Sequence, residues 1–221
     1  MVMRGFVVWV FSATLISLSA GVTSGQSYPI KPVRIVASEA GGTVDLIARL
    51  IAPGLSGALG QGVITENRPT ILAIETVSKA PPDGYTLLVA AGTLWIGPLL
   101  QKMPYNPMRD FAPISLLTSS STGAQPSVLA PGLPTIAASG VPGYEAVAAQ
   151  GVFAPAGTPV SIVNRLHQEV VRFVNQADVK EKFLNAGLEA VGSSPEQLAA
   201  AMKSEIAKWG KLIREAGIRA E

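Results

Sequence analysis

The sequence predicts an α/β fold, a mainly parallel sheet flanked by helices, and three observations carry that expectation. Strand-like and helix-like patterns alternate between residues 33 and 90, as in parallel strands joined by helical crossovers. The C-terminal part carries sharp helix start and stop signals. The chain has 221 residues, 48% hydrophobic and 14% charged, which is too apolar for disorder and long enough to bury a core.

The N-terminal stretch, 1–25, has the pattern of a secretory signal peptide: Arg4, an apolar run from Phe6 to about Leu18, then small residues. That run is shorter than the roughly 18 to 20 residues of a spanning helix. With no cysteine in the chain, an exported protein must be held by its core and not by disulfides. The leader and the absent cysteines point to the bacterial periplasm.

Next come a strand at 33–37, a helix at about 44–59, a strand at 62–66, a helix at about 72–80 and a strand at 86–90. Pro81-Pro82-Asp83-Gly84 between the last two is a turn, because proline fixes φ and glycine accepts positive φ. From 103 to 157 prolines, glycines and serines interrupt every period. Only 114–117 reads as a strand there, and Thr118–Gly123 reads as a loop or linker. Thr158-Pro159 then signals a helix start, with Val163, Leu166, Val170 and Phe173 on one face. A short helix at 179–186 stops at Gly187, and Ser194-Pro195 opens a last helix. Its stripe of Leu198, Met202, Ile206, Trp209 and Ile213 runs to Gly217. Lys203, Lys208, Lys211 and Arg214 occupy the other faces, with Glu205 and Glu215 in pairing range, which reads as a solvated face.

Several chemistries are excluded. The one histidine, His167, lies inside a predicted helix with no nucleophile signature beside it, so the chain is not expected to be an enzyme. One histidine and no cysteine rule out the usual zinc sites, and the acidic residues are too scattered for calcium. Gly92 and Gly97 have Walker spacing but Pro98-Leu99 follow in place of Lys and Ser or Thr, so this segment reads as a turn. No cofactor is expected. A formal charge of +2 is too slight to predict nucleic-acid binding.

Two loops remain. Ser38-Glu39-Ala40-Gly41-Gly42-Thr43-Val44-Asp45 joins a strand to a helix, and Ala90-Ala91-Gly92-Thr93 follows the strand at 86–90. Both lie at carboxyl ends of predicted strands, where open α/β sheets place ligands. Amides of Gly41, Gly42 and Thr43 at a helix N-terminus would favour an anion. Equally, the glycines could serve only a tight turn, with Asp45 as a helix cap.

The runs Tyr28-Pro29-Ile30-Lys31-Pro32-Val33, Gly41-Gly42-Thr43-Val44-Asp45, Glu66-Asn67-Arg68-Pro69 and Lys79-Ala80-Pro81-Pro82-Asp83-Gly84-Tyr85 resemble the substrate-binding proteins of tripartite tricarboxylate transporters, the Bug family. So do Met103-Pro104-Tyr105-Asn106-Pro107, Asp110-Phe111-Ala112-Pro113, Val141-Pro142-Gly143-Tyr144 and Ala154-Pro155-Ala156-Gly157-Thr158-Pro159. The resemblance implies a monomeric periplasmic receptor whose two lobes close on a small carboxylate and hand it to integral-membrane permease subunits. It implies that backbone amides and ordered water hold the carboxylate. The implied site is Gly41, Gly42, Thr43 and Asp45 from the first loop and Ala91, Gly92 and Thr93 from the second. Trp95 falls in a pocket-facing stretch of such proteins, though packing is the usual role of a tryptophan.

Three departures stand out. Thr70-Ile71-Leu72-Ala73 replaces a glycine-rich stretch, Glu39 puts a negative charge near the carboxylate unless it points away, and the chain is markedly short. The missing length falls between Leu117 and Pro134, where most of the second lobe should be. The expected organisation is therefore a signal peptide at 1–25, the N-terminal part of the first lobe at 26–117, a remnant of the second lobe and crossover at 118–150, and a helical part at 151–221 packing back on the sheet. Binding is expected to be impaired. The alternative is a non-binding paralogue that acts as an interaction or sensory partner.

Overall fold

The computed structural model describes residues 28–121, 132–142 and 147–218. The expected leader, 1–25, and much of the expected remnant, 122–131 and 143–146, lie outside the described residues. The elements are β1 (Val33–Ala37), α1 (Thr43–Leu59), β2 (Val63–Asn67), α2 (Thr70–Ser78), β3 (Thr86–Ala91), α3 (Thr93–Leu100), β4 (Phe111–Ser121), β5 (Val147–Pro155), α4 (Val160–Val174), α5 (Ala177–Asn185) and α6 (Pro195–Glu215).

The strands form one sheet in the order β2-β1-β3-β5-β4. The α/β class is borne out, but the sheet is mixed and not mainly parallel. β1 pairs in parallel with β2 and β3, whereas β5 is antiparallel to both β3 and β4. The parallel half is the half in which helices separate the strands, as a crossover requires.

Side-chain alternation along the strands splits the core into two halves. Ile35, Leu87, Val89, Val152 and Ala154 face α1, α4 and α5. Their neighbours Val36, Leu88, Ala90 and Phe153 face α2, α3 and α6. The register puts Ile35 opposite Leu87, Val36 opposite Leu88 and Leu88 opposite Phe153, so each layer is continuous across the sheet. β1 and β3 are buried on both faces, which explains the absence of a polar face in them, whereas the edge strand β2 is not.

The helices follow the sequence where its local signals are complete. α1 ends at Gly60, whose φ of 67° only glycine adopts cheaply. α6 opens with a capping box, Ser194 accepting from the Gln197 amide while the Gln197 side chain accepts from the Ser194 amide. The start of α4 differs from expectation. Pro159 occupies the N-cap position, and the Thr158 hydroxyl donates to the Pro155 carbonyl at 2.8 Å instead of capping the helix.

The proline-rich middle holds more regular structure than its composition predicts. β4 extends the expected strand at 114–117 in both directions, so 118–121 are strand and not linker. β5 has no counterpart among the expected strands. The boundaries drawn after 117 and 150 both fall inside this β4–β5 ladder. The outer edge of β4 is covered by the segment before α6: the Val191 and Gly192 amides donate to the Leu117 and Leu116 carbonyls at 2.9 Å. His167 sits at the boundary of the core, its Nδ1 3.1 Å from the Ile114 carbonyl oxygen.

Candidate functional site

Strand order reverses at β1: the chain steps outward to β2, then returns to the other side of β1 as β3. The loops leaving β1 and β3 therefore emerge side by side at the carboxyl edge of two adjacent parallel strands, the position at which open α/β sheets form a crevice.

The first loop is rigidly held. Gly41 has φ 85°, a left-handed value that favours glycine, and Gly42 is the N-cap of α1. Asp45, in the first turn of α1, is buried and turns its carboxylate back onto the loop. One oxygen accepts the Gly41 amide at 2.9 Å, and the other accepts Arg49 Nε and Asn67 Nδ2, each at 2.8 Å. Asn67 Nδ2 also donates to the Ser38 carbonyl at 2.7 Å. Burial pushes the Asp45 carboxyl up, but the hydrogen bonds from Gly41, Asn67 and Arg49 outweigh it and hold it below the usual carboxylate range. Asp45 is thus satisfied within the chain, and the Gly41 amide is occupied by it.

The Glu39 side chain is committed to the start of α2. Its carboxylate accepts the Thr70 amide at 2.9 Å and the Thr70 hydroxyl at 2.8 Å, serving the start of α2, where the N-cap residue Pro69 has no side-chain acceptor. Its own amide, then the Thr70 amide and hydroxyl, hold its pKa below the ordinary glutamate value. Two of the sequence's departures from the family pattern, at 39 and 70, are therefore one contact.

The second loop ends in a helix and not in the turn expected over 92–97. Gly92 is the N-cap of α3 and Thr93 its first residue. The Thr93 carbonyl accepts the Tyr105 hydroxyl at 3.3 Å. Trp95 is buried, as its packing role predicts, and its indole N–H has no partner among the described residues.

Two cavities adjoin these loops. A void of about 30 Å³, room for one water, is lined by Ser38 and Val44 of the first loop, Ala91 and Thr93 of the second, and Thr70. A larger cavity of about 500 Å³ lies beyond it, between α2 and α3, and includes Ala91, Gly92, Thr93, Trp95 and Gln150 in its wall. The second-loop residues predicted from sequence thus reach both cavities or the larger one. Gly41, Gly42, Thr43 and Asp45 line neither, and the first three are exposed. Ser38, Thr70 and Gln150 join the site without having been indicated by the sequence pattern. Thr70 stands at the signal-rich start of a helix and could have been found, whereas Gln150 lies in a tract without periodicity.

Among the described residues no group of three or more His, Asp or Glu could hold a metal ion, and no helix is long and apolar enough to cross a membrane.

The model of the tripartite tricarboxylate transporter family receptor matches residues 47–128 and 122–218. A UPF0065 protein from Pseudomonas sp. (strain P51), in its tcbD-tcbE intergenic region, is 26% identical over 313 aligned positions that span 93% of each chain. This chain has 221 residues, so that alignment contains more than ninety positions at which it has none. A UPF0065 protein of Bordetella bronchiseptica is 42% identical over 107 residues, 46% of this chain and 32% of the relative. The match to this chain thus spans about a third of that relative. Among solved structures, the periplasmic binding protein BugD superposes with a TM-score of 0.79 at 21% identity, over 88% of this chain and 100% of that one. R. palustris Rpa4515 with adipate gives 0.76 at 25%, over 87% and 99%. With most of its length matched by the family model, the chain belongs to the tripartite tricarboxylate transporter receptor family, whose members are periplasmic solute-binding proteins and not enzymes.

Proposed function

We propose that this chain is a periplasmic solute-binding receptor for a small carboxylate, serving a tripartite tricarboxylate-type membrane transporter, and that it binds weakly because a single lobe does the binding. The observation that carries the reading is the meeting of the β1 and β3 loops, each opening a helix N-terminus, around the void at the strand-order reversal. Helix N-termini favour anions. Rpa4515 with adipate and MatC from Rhodopseudomonas palustris with bound malate, which share the fold, support the ligand class. In this reading Gly42 and Thr43, exposed at the start of α1 and outside both cavity walls, contribute amides from the first loop, and Ala91, Gly92 and Thr93 contribute them from the second. Gly41 and Asp45 hold the first loop in shape. Residues 1–25 act as the export signal, and the receptor works as a monomer.

The weakness follows from magnitude. Micromolar affinity requires about −8 kcal/mol, while a helix terminus offers an anion about 0.3 to 1 kcal/mol, and up to about 2 in favourable geometry. Two termini fall well short without a second lobe to exclude water. The family match in two segments that meet at 122–128, the excess of aligned positions over residues, and the single sheet among the described residues support a chain shortened within its middle.

Calorimetric and thermal-shift titration of the purified chain with mono-, di- and tricarboxylates tests this. Millimolar binding of at least one is expected. A micromolar hit contradicts impairment. No response at any concentration contradicts binding and leaves the interaction-partner alternative.

A further inference from the structure

The larger cavity does not have the chemistry of a carboxylate site. Its volume of about 500 Å³ lies within the range of roughly 300 to 1,000 Å³ typical of small-ligand pockets. Its wall is chiefly apolar, with Ile71, Ile74, Ile96, Leu100 and Met103 around the rings of Trp95 and Tyr105. Among the described residues in that wall Glu205 is the one charged side chain, and it is an anion. Its carboxylate is tied down: one oxygen accepts the Trp209 indole N–H at 2.7 Å. Lys208 stands 3.9 Å from the other oxygen, but it lines the neighbouring cavity along α6 and not this one. A ligand inside therefore meets two aromatic rings and one acidic side chain, whose ion-pair partner Lys208 lies outside this wall.

We infer that this cavity binds a small ligand with an apolar, arene-sized body and an ammonium end, and that it rejects the carboxylate of the same shape. The apolar wall supplies the body's burial, aromatic rings in a wall favour a cation, and Glu205 attracts an ammonium and repels a carboxylate. This site is distinct from the carboxylate reading and does not rest on it. The larger cavity and the small void share Thr70, Ile74, Ala91 and Thr93 in their walls, so occupancy of one competes with occupancy of the other at close range.

The test is calorimetric titration of the purified chain with three compounds of one shape: phenethylamine, 2-phenylethanol and 3-phenylpropanoate. The amine is expected to bind best, the alcohol next, and the carboxylate at least about tenfold more weakly than the amine. Glu205→Gln keeps an acceptor for Trp209 and should cut the amine-over-alcohol ratio about threefold or more while leaving the alcohol unchanged. Ala148→Trp, at an exposed wall position, should abolish binding of all three without changing the melting temperature. Equal or tighter binding of 3-phenylpropanoate, an unchanged ratio in Glu205→Gln, undiminished binding in Ala148→Trp, or no binding of any compound overturns the inference.

Discussion

Glu39 accepts both the amide and the hydroxyl of Thr70, at 2.9 and 2.8 Å, and so caps a helix that begins 31 residues further along the chain. A charge that would oppose a bound carboxylate is instead committed to the start of α2. Glu39→Ala should leave carboxylate affinity unchanged and lower the melting temperature slightly. Because the folded-state pKa lies below the ordinary value of 4.5, the contribution is present above that pH and lost as pH falls through the folded value. Thermal melts of both proteins at neutral and acid pH should therefore converge on the acid side. A rise in affinity on Glu39→Ala contradicts the assigned direction of the side chain.

Asp45 ties the first loop to α1 and to the end of β2 through three donors. An asparagine cannot accept all three and brings its own donors into the cluster. Asp45→Asn should cost about 1.5–3 kcal/mol, the range for hydrogen bonds to a charged group, measured by urea unfolding. The wild-type carboxyl titrates below the ordinary 3.8, so its stabilisation holds above that pH and disappears as pH falls through the folded value. The variant should lack that acid limb.

Gly54 of α1 lies against the ring of Phe173 of α4: a Cβ there would sit 2.1 Å from two ring carbons and 2.5 Å from Cγ. The clash reaches the root of the ring, so a rotamer change cannot relieve it cheaply. Gly54→Ala should destabilise by about 1–3 kcal/mol, as overpacking does. Combining it with Phe173→Ala should recover part of the loss, and a double-mutant cycle measures the coupling.

Ser194 and Gln197 exchange hydrogen bonds at the start of α6. Ser194→Ala should lower stability by about 0.5–2 kcal/mol, read by denaturant midpoint. α6 packs Leu198 and Met202 on the sheet, so the loss should appear in the global transition and not in local fraying.

The legible parts of the fold are those whose signals are local. β1, α1, β3 and α6 carry apolar periods bounded by caps or turns within a few residues, and the structure has each within two residues of its expected limits. β5 is hidden because the first half of this central strand, Ala148, Ala149, Gln150 and Gly151, consists of residues of low β-propensity with no alternating apolar pattern, tolerated between β3 and β4 by tertiary pairing. α3 is hidden by Gly97 and Pro98, two helix breakers. Gly97 packs closely on Met103 and Tyr105: a Cβ there would lie 2.8 Å from Met103 Cε and 3.3 Å from the Tyr105 hydroxyl. α2 starts two residues earlier than its own pattern indicates because its cap comes from Glu39. At the site, the sequence indicates both loops. The distribution of work within the first loop, with Asp45 occupying the Gly41 amide, depends on a side-chain direction that spacing does not encode.

Weak carboxylate binding by two loop termini on one lobe stands or falls on amide NMR of the labelled chain titrated with malate. Shifts should concentrate at Gly42, Thr43, Ala91, Gly92 and Thr93 and saturate in the millimolar range, with the Glu39 and Glu205 amides unmoved. Micromolar saturation, or shifts that leave both loops untouched, would contradict it.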